Sequence, residues 1–216
     1  MEYKIDETLE YRPLILKGLQ VYNKQFTGDK ETDIQSFYIL QDNRLVGACI
    51  TEMGWDWVYL TKIFYHNSDV LSKLMNKIKE YYFGRVEGIL YESFDTVRVE
   101  QFVNNGFEDR SILENMPKGL NNHFLVLTDM SHSIVDQATH SKDGDLELNK
   151  IIDLEVNTYN LEQNITDEKI EVEYVALDGK TFAGGVYCHI KYDYLYVSLL
   201  YVESKYRGMD VASELM

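Results

Sequence analysis

The chain has 216 residues, 45% of them hydrophobic, which is enough for a substantial core, so an intrinsically disordered chain is excluded. Thirty-six acidic and 21 basic residues give a formal charge of −15, which disfavours nucleic acid and anionic lipid and favours cationic partners such as amines. The first residues lack the basic flank and apolar stretch of a signal peptide, and no apolar run reaches about 18 residues. We therefore expect a cytoplasmic protein with no nucleic-acid or membrane partner.

The predicted elements begin with a helix over residues 13–26, where apolar residues recur at helical spacing. Residues 36–53 predict two strands joined by a turn at 41–44, and residues 56–65 predict a third strand. A second helix is predicted over 68–83, with Ser68 or Asp69 as its N-cap. Its apolar stripe consists of Val70, Leu71, Leu74, Met75, Ile78 and Tyr82.

The next segments predict a strand over 86–93, a helix over 95–107 and a final hairpin formed by 110–116 and 123–129. The order is therefore α, ββ, β, α, β, α, ββ. A mixed sheet covered by helices accommodates this order.

The sequence contains an internal repeat. Residues 40–65 are similar to residues 177–202 at a constant offset of 137 (177 minus 40). Residues 69–75 are similar to residues 210–216 at an offset of 141 (210 minus 69). The second copy therefore carries four extra residues between its last strand and the following helix.

The repeat predicts three segments: a complete domain over 1–130, a polar linker over 131–145, and the N-terminal half of a second domain over 146–216. The second copy ends early in its helix, so its last strand is expected to present an open edge. We expect a homodimer through this edge, or docking of the first domain, to cover it, with truncation as the underlying cause.

The cysteines and histidines give no sign of a metal or redox site. Cys49 and Cys188 lie far apart without a CxxC spacing, and the five histidines share no metal-ligand spacing. We therefore predict no metal site, and we expect both cysteines to pack as small hydrophobic residues.

The element order over both copies, and one loop, resemble the GCN5-related N-acetyltransferases, which transfer an acetyl group from acetyl-coenzyme A to an amine. The family's pyrophosphate motif is Gln or Arg, two residues, Gly, one residue, then Gly or Ala. Arg207 and Ala212 fit this motif, whereas Asp210 stands where the family has glycine. The resemblance implies an α/β (α+β) fold with a mixed, mostly antiparallel sheet flanked by helices, the acyl-CoA N-acyltransferase fold, in two tandem copies.

The chemistry of this loop also favours a diphosphate. A turn around the first residues of a helix presents free backbone N–H groups to an anion, and Gly208 has no side chain to block its approach. The predicted coenzyme residues are Arg207, Gly208, Met209, Asp210, Val211 and Ala212. A carboxylate at Asp210 costs about 1 kcal/mol at about 4 Å from a phosphate charge in water, unless it turns back to cap the helix. We therefore expect coenzyme binding weaker than is usual in the family.

The resemblance implies further contacts on the preceding strand. Main-chain groups near Leu200 and Val202 are expected to hydrogen-bond the pantetheine arm as if it were an added strand. No catalytic base or acid can be assigned. Tyr196, Ser198 and Glu203 lie near the relevant strand, but packing, sheet pairing or solvation explains each of them.

The first copy is expected to have a degenerate coenzyme site. Its strand-to-helix junction, residues 65–69, has neither arginine nor glycine. Its late helix has Phe102 followed by Val103, where the family often has Phe-Tyr, with a phenol that protonates the departing thiolate. A structural or substrate-shaping role is the prediction for this copy.

Two functions are consistent with these features. The first is an N-acetyltransferase that uses acetyl-CoA to acetylate a primary amine of a small molecule or peptide. The alternative is a non-catalytic binding or assembly module of the same fold, with weak or no coenzyme binding, which Asp210 and Val103 favour.

Overall fold

The structure is a computed structural model, and it describes residues 1–28, 33–115, 119–134, 138–142, 146–162, 170–191 and 194–216. Eleven strands and five helices lie in these ranges. They are β1 Glu2–Asp6, α1 Arg12–Thr27, β2 Asp33–Gln41, β3 Arg44–Gly54, β4 Trp57–Tyr65, α2 Ser68–Tyr82, β5 Gly88–Ser93, α3 Thr96–Val103, β6 Glu108–Leu113, β7 Asn122–Leu127, β8 Ala138–Lys142, α4 Leu146–Glu162, β9 Ile170–Asp178, β10 Thr181–Lys191, β11 Tyr194–Val202 and α5 Val211–Leu215.

The chain divides into two compact units. Unit 1 consists of Met1–Asp29 and Asp167–Met216, and unit 2 consists of Lys30–Thr166. Each has one sheet and its own hydrophobic cluster. This division differs from the predicted segments 1–130, 131–145 and 146–216. Unit 1 takes β1 and α1 from the first segment, whereas unit 2 takes β8 from the predicted linker and α4 from the last segment.

Unit 2 is built on a seven-stranded sheet in the order β6-β7-β5-β4-β3-β2-β8, in which only β4 and β5 are parallel among the described pairs. Strand β8 lies in the predicted linker, part of which falls outside the described residues. Helix α4 lies in the predicted second domain but contacts β2 and β4. Ser36 Oγ donates to Asn149 Oδ1 at 3.2 Å, Lys62 pairs with Asp153, and Ile152 is fully buried.

Helix α2 covers this sheet with the predicted apolar stripe, and every residue of the stripe is buried. The predicted N-cap is wrong by one or two residues. Asn67, rather than Ser68 or Asp69, has the extended backbone of a cap, and its Oδ1 accepts the N–H of Val70 at 3.0 Å.

Unit 1 is built on a four-stranded antiparallel sheet in the order β1-β9-β10-β11. Helix α1 packs on β10 and β11, where a Cβ atom added to Gly18 would lie 2.3 Å from the ring of Tyr201. The buried Glu173 on β9 accepts the N–H of Tyr11, the N-cap of α1, at 3.1 Å. The predicted helix 13–26 is therefore present, but it belongs to the unit that contains residues 170–216.

The strands of the two units show a regular numerical correspondence. Strands β9, β10 and β11 begin and end 137 positions after β2, β3 and β4, for example 170 minus 33. The sheets also share two β-bulges at equivalent positions. The extra residues are Val46 and Ala183 in the first pair of bulges, and Thr61 and Ser198 in the second.

Both cysteines are buried and unpaired, as the sequence predicts. Among the described helices, none combines the length and the apolar character that crossing a membrane requires.

Candidate functional site

The predicted coenzyme residues lie at the end of β11 in unit 1. Among the described strands β11 pairs only with β10, so its other side is an open sheet edge. Leu200 lies opposite Val186 and Val202 opposite Gly184, and both side chains pack against the hydrophobic cluster under α5. The strand is bulged at Ser198, two residues before Leu200.

The chain turns sharply after β11. Residues 204–206 form one turn of 3-10 helix, Arg207 is extended, and Gly208 and Asp210 both have left-handed backbones with φ of 76° and 59°. In the described part of the chain, no acceptor is hydrogen-bonded to the backbone N–H groups of residues 208–212. Successive backbone N–H groups in a turn of this kind can form an anion-binding concavity, so these residues are the candidate site for a diphosphate.

Arg207 borders this turn. Its Nε donates to the carbonyl oxygen of Val202 at 2.9 Å, and its guanidinium carbon lies 4.6 Å from the ring centroid of Tyr22 and 5.7 Å from that of Tyr201. The side chain remains exposed. The guanidinium is thus held beside the turn by one hydrogen bond and two aromatic faces, where it adds positive charge for an anion.

Asp210 does not cap the helix that it precedes. It occupies the N-cap position of α5 with a left-handed backbone, and its side chain makes no capping hydrogen bond within the described residues. The alternative that its carboxylate turns back onto the helix is therefore wrong for this structure. The carboxylate stays on the exposed rim of the turn.

Buried side chains at both ends hold α5 and the turn in place. Val211 and Leu215 are buried in the cluster that includes Ala183 and Val186. Tyr206 is also buried, and its hydroxyl donates to Asp178 Oδ2 at 3.0 Å. The fold therefore fixes both ends of the turn, while Met209 and Ala212 are exposed.

Unit 2 has a different arrangement at the corresponding place. Strands β4 and β5 pair over only three residues, Trp57–Tyr59 with Gly88–Leu90, and then diverge. A cleft of about 350 Å³ lies at the end of β4, between the junction 63–67, the start of α3 and one face of α4. In the family that the sequence resembles, such a divergence admits the pantetheine arm.

The side chain of Arg98 occupies part of this divergence. Its Nη1 lies 3.4 Å from the carbonyl oxygen of Ile63 on β4 and 3.4 Å from the hydroxyl of Tyr91 on β5. Its guanidinium carbon lies 3.7 Å from the ring centroid of Tyr159 on α4. Arg98 thus bridges β4 and β5 through the Ile63 carbonyl oxygen and the Tyr91 hydroxyl. A ligand inserted between the strands would have to displace the Arg98 side chain.

Two tyrosines complete this cluster. Tyr65 donates to Gln101 Oε1 at 2.6 Å, and Tyr159 donates to Asp95 Oδ2. Burial raises the pKa of Tyr65, and burial together with the hydrogen bond to Asp95 raises the pKa of Tyr159. Both hydroxyls are therefore neutral donors near pH 7. They are structural groups rather than proton acceptors.

We expect Arg98→Ala to lower the free energy of unfolding of unit 2 by about 2 kcal/mol, because it removes a stacked, desolvated guanidinium and leaves a void. Both tryptophans of the chain, Trp55 and Trp57, lie in unit 2, so urea unfolding followed by tryptophan fluorescence reports on it. Arg110→Ala is the matched control, because that arginine is exposed and should change the value by less than about 0.5 kcal/mol. Equal effects of the two variants would contradict the role assigned to Arg98.

Sequence reasoning did not identify Arg98, Tyr159 or His189, and it named Ser198 without assigning it a role. Helical spacing places Arg98 on α3, but its burial depends on how β4 and β5 diverge, which no local pattern encodes.

Among the described residues, no group of three or more His, Cys, Asp or Glu side chains could hold a metal ion.

Comparison with solved structures identifies the fold. No protein-family model matches the sequence, and no curated protein matches it. Among solved structures, an acetyltransferase from Bacillus cereus is similar over 56% of this chain and 94% of its own, with 18% identity and a TM-score of 0.50. The ribosomal-protein-alanine N-acetyltransferase from Escherichia coli is similar over 62% of this chain and 98% of its own, with 13% identity and a TM-score of 0.37.

The Bacillus cereus protein provides the likeness on which the fold assignment rests. Its match extends over nearly its whole length, and both sheets of this chain are mixed or antiparallel with flanking helices, as the sequence predicts. The chain therefore has the fold of the GCN5-related N-acetyltransferases.

Proposed function

We propose that this protein transfers an acetyl group from acetyl-CoA to a primary amine of a small molecule or peptide, and that unit 1 binds the coenzyme. The observation that carries the proposal is the run of free N–H groups at residues 208–212, directly after an open strand edge. Helix α5 has five residues, so its dipole contributes little. The concavity of backbone amides, together with Arg207, supplies the attraction for the diphosphate.

The open edge of β11 supports the second part of coenzyme binding. Pantetheine is a linear chain of amides, and it would add to this edge as a strand does, through main-chain groups near Leu200 and Val202. A homodimer that pairs two β11 edges would use the same groups. We therefore propose that dimerisation through β11, where it occurs, competes with the coenzyme.

Unit 2 is proposed to be a structural or substrate-shaping domain. Its junction lacks an arginine and a glycine, Asn67 caps α2 there, and Arg98 bridges the diverging strands. Val103 stands where the family often has the tyrosine that protonates the thiolate. The equal offsets of strands and bulges in the two units support an ancient tandem duplication with one retained site.

The alternative is a non-catalytic binding or assembly module. Two observations favour it. The carboxylate of Asp210 lies on the rim of the turn, and the side chain of Arg98 fills the space where β4 and β5 diverge in unit 2. A thermal-shift titration with acetyl-CoA separates a coenzyme binder from a protein without affinity. Thiol release with spermidine, L-lysine and an alanine-initiated peptide then separates an enzyme from a binding module. No shift and no thiol release would leave the fold without the proposed activity.

We expect Asp210→Gly to tighten acetyl-CoA binding about fivefold. The change removes about 1 kcal/mol of repulsion at about 4 Å in water, and glycine adopts the left-handed backbone without strain. Asp210→Asn is the matched control, because asparagine also tolerates this backbone but carries no charge. Isothermal titration of both variants measures the effect, and Asn should give most of the gain. Unchanged affinity in both would place the diphosphate away from this turn.

A further inference from the structure

Three side chains of unit 1 form a cluster near the bulge of β11. His189 on β10 lies opposite Tyr196 on β11, and their rings stack with centroids 4.9 Å apart and an interplanar angle of 5°. The Nδ1 atom of His189 lies 2.8 Å from the Oγ atom of Ser198. A hydroxyl at this distance from an imidazole nitrogen, with the ring fixed by a third group, is the arrangement that proton transfer requires.

The position of this cluster fits the reacting end of the coenzyme. Ser198 is the extra residue of the bulge, and bulges are frequent beside active sites, where they redirect a side chain. The diphosphate turn begins beyond Val202, and Ser198 lies four residues earlier, about 13 Å back along the strand. Pantetheine that follows β11 from the turn therefore runs toward Ser198.

Two charged side chains, on β9 and α1, lie near His189. Glu171 lies opposite His189 on β9, and its carboxylate accepts the hydroxyl of Tyr187 and lies 3.9 Å from Arg12 of α1. The Arg12 guanidinium lies 4.3 Å from the Tyr187 ring centroid. When the ring accepts a proton in catalysis, the imidazolium would face this carboxylate, and Arg12 would offset part of the attraction. His189 is half-buried and Ser198 is exposed, so solvent and a substrate can reach the pair.

Unit 2 lacks the pair at the equivalent positions. The residues 137 positions earlier are Glu52 for His189 and Thr61 for Ser198. The Thr61 hydroxyl donates to the carbonyl oxygen of Ile50 at 3.0 Å instead. The histidine and serine therefore distinguish the unit with the predicted coenzyme turn from the unit without it.

We propose that Ser198 and His189 form the proton-accepting pair for the amine acceptor. This inference rests on the proposed function and assigns catalytic residues to it. The pair must adopt the tautomer in which Nδ1 carries no proton and the Ser198 hydroxyl donates to it.

The acceptor nitrogen loses two protons in the proposed reaction, and they go to different groups. The acceptor arrives as an ammonium ion and gives one proton to Ser198 Oγ while the hydroxyl proton passes to His189 Nδ1. The free amine then attacks the carbonyl carbon of the thioester, a C–N bond forms and the C–S bond breaks. The second proton leaves the nitrogen and reaches the thiolate, which gives an amide and a thiol. His189 returns its proton to water.

We expect His189→Gln to lower kcat for thiol release about 100-fold near pH 7, because glutamine keeps a hydrogen-bonding group but cannot accept the proton. The loss should shrink toward about pH 10, where an alkyl amine begins to lose its proton unaided. The KM for acetyl-CoA should stay within about twofold. Glu52→Gln, at the equivalent position of unit 2, is the matched control and should retain native rates.

Two further measurements separate a catalytic role from a structural one. Ser198→Ala should lose activity, whereas Ser198→Thr, which keeps a hydroxyl at this position, should retain most of it. In the native protein, ¹⁵N NMR of labelled histidine should report an unprotonated Nδ1 in His189 at neutral pH. A protonated Nδ1 would overturn the inference whatever the kinetics.

The outcomes distinguish this inference from the function on which it rests. If the native protein releases no thiol with spermidine, L-lysine or the alanine-initiated peptide, both are overturned. If it releases thiol and His189→Gln is as fast at every pH, the assignment of the pair is overturned and the transferase function stands. A pH-dependent loss with unchanged coenzyme binding supports both.

Discussion

Replacing Gly208 with glutamate should weaken acetyl-CoA binding about 100-fold, or about 2.7 kcal/mol. Gly208 has a φ of 76° in the centre of the turn, and nothing lies within 4 Å of a Cβ atom added there. The new side chain therefore meets no neighbouring atom, although the left-handed backbone strains it. Its carboxylate would then face the diphosphate, where two unit charges about 4 Å apart repel by about 4 kcal/mol at a protein surface. Isothermal titration with acetyl-CoA measures the loss.

Gly179→Glu is the matched control for this change. Gly179 lies in the same unit, also has a left-handed backbone with φ of 61°, and also has open space at its Cβ position. The control therefore has the same strain and the same added charge, away from the turn. We expect it to bind acetyl-CoA as the native protein does. Equal weakening in both variants would indicate a general effect of charge or stability and would contradict the assigned site.

Gly88→Ala should lower the free energy of unfolding of unit 2 by about 3 kcal/mol. Gly88 begins β5 at the closed end of its divergence from β4, and an added Cβ atom would lie 2.4 Å from the carbonyl oxygen of Leu127 and 2.7 Å from the Trp57 ring. A backbone oxygen cannot move away as a flexible side chain can. Strand β5 would have to shift from β4, from β7 or from both.

Urea unfolding followed by tryptophan fluorescence tests this prediction, because Trp57 itself contacts the substituted position. Gly84→Ala is the control: Gly84 has a φ of 71° and open space, so alanine there should cost about 1 kcal/mol through backbone strain alone. If Gly88→Ala is no more destabilising than the control, the tight contact between β5 and β7 is not a determinant of stability.

Much of the fold follows from local sequence patterns. The stripe of α2 is a 3.6-residue periodicity, and the polar residues at 41–44 mark the turn between β2 and β3, so these elements are predicted within a few residues. The equal spacing of the two strand triplets is also visible in the repeat. Such patterns are local because each is set by which face of one element is buried.

The pairing of distant segments does not follow from local patterns. Strand β1 has five residues and pairs with β9, where Glu2 lies opposite Leu177, and β8 has five residues and pairs with β2. Short, partly exposed strands carry little periodicity, and no pattern states which sheet edge they join. The assignment of residues 1–28 to the first domain therefore differs from the structure, although the α1 helix itself is predicted correctly.

The candidate site shows the same difference between features set by local sequence and features set by tertiary contacts. Arg207 and Gly208 are candidates from the sequence because a four-residue insertion and a glycine mark the turn. The contact between His189 and Ser198 depends on the strand register and on one bulge, and the position of Arg98 depends on where two strands diverge. These contacts are fixed by tertiary structure, so the sequence marks the turn after β11 but does not predict the contacts of His189, Ser198 and Arg98.

A crystal structure of the protein with acetyl-CoA tests the central claim most directly. The account predicts that the diphosphate oxygens accept hydrogen bonds from N–H groups of residues 208–212 and that pantetheine runs along the open edge of β11. A diphosphate bound in the unit 2 cleft beside Arg98, or an Asp210 carboxylate that occupies the turn in its place, would contradict it.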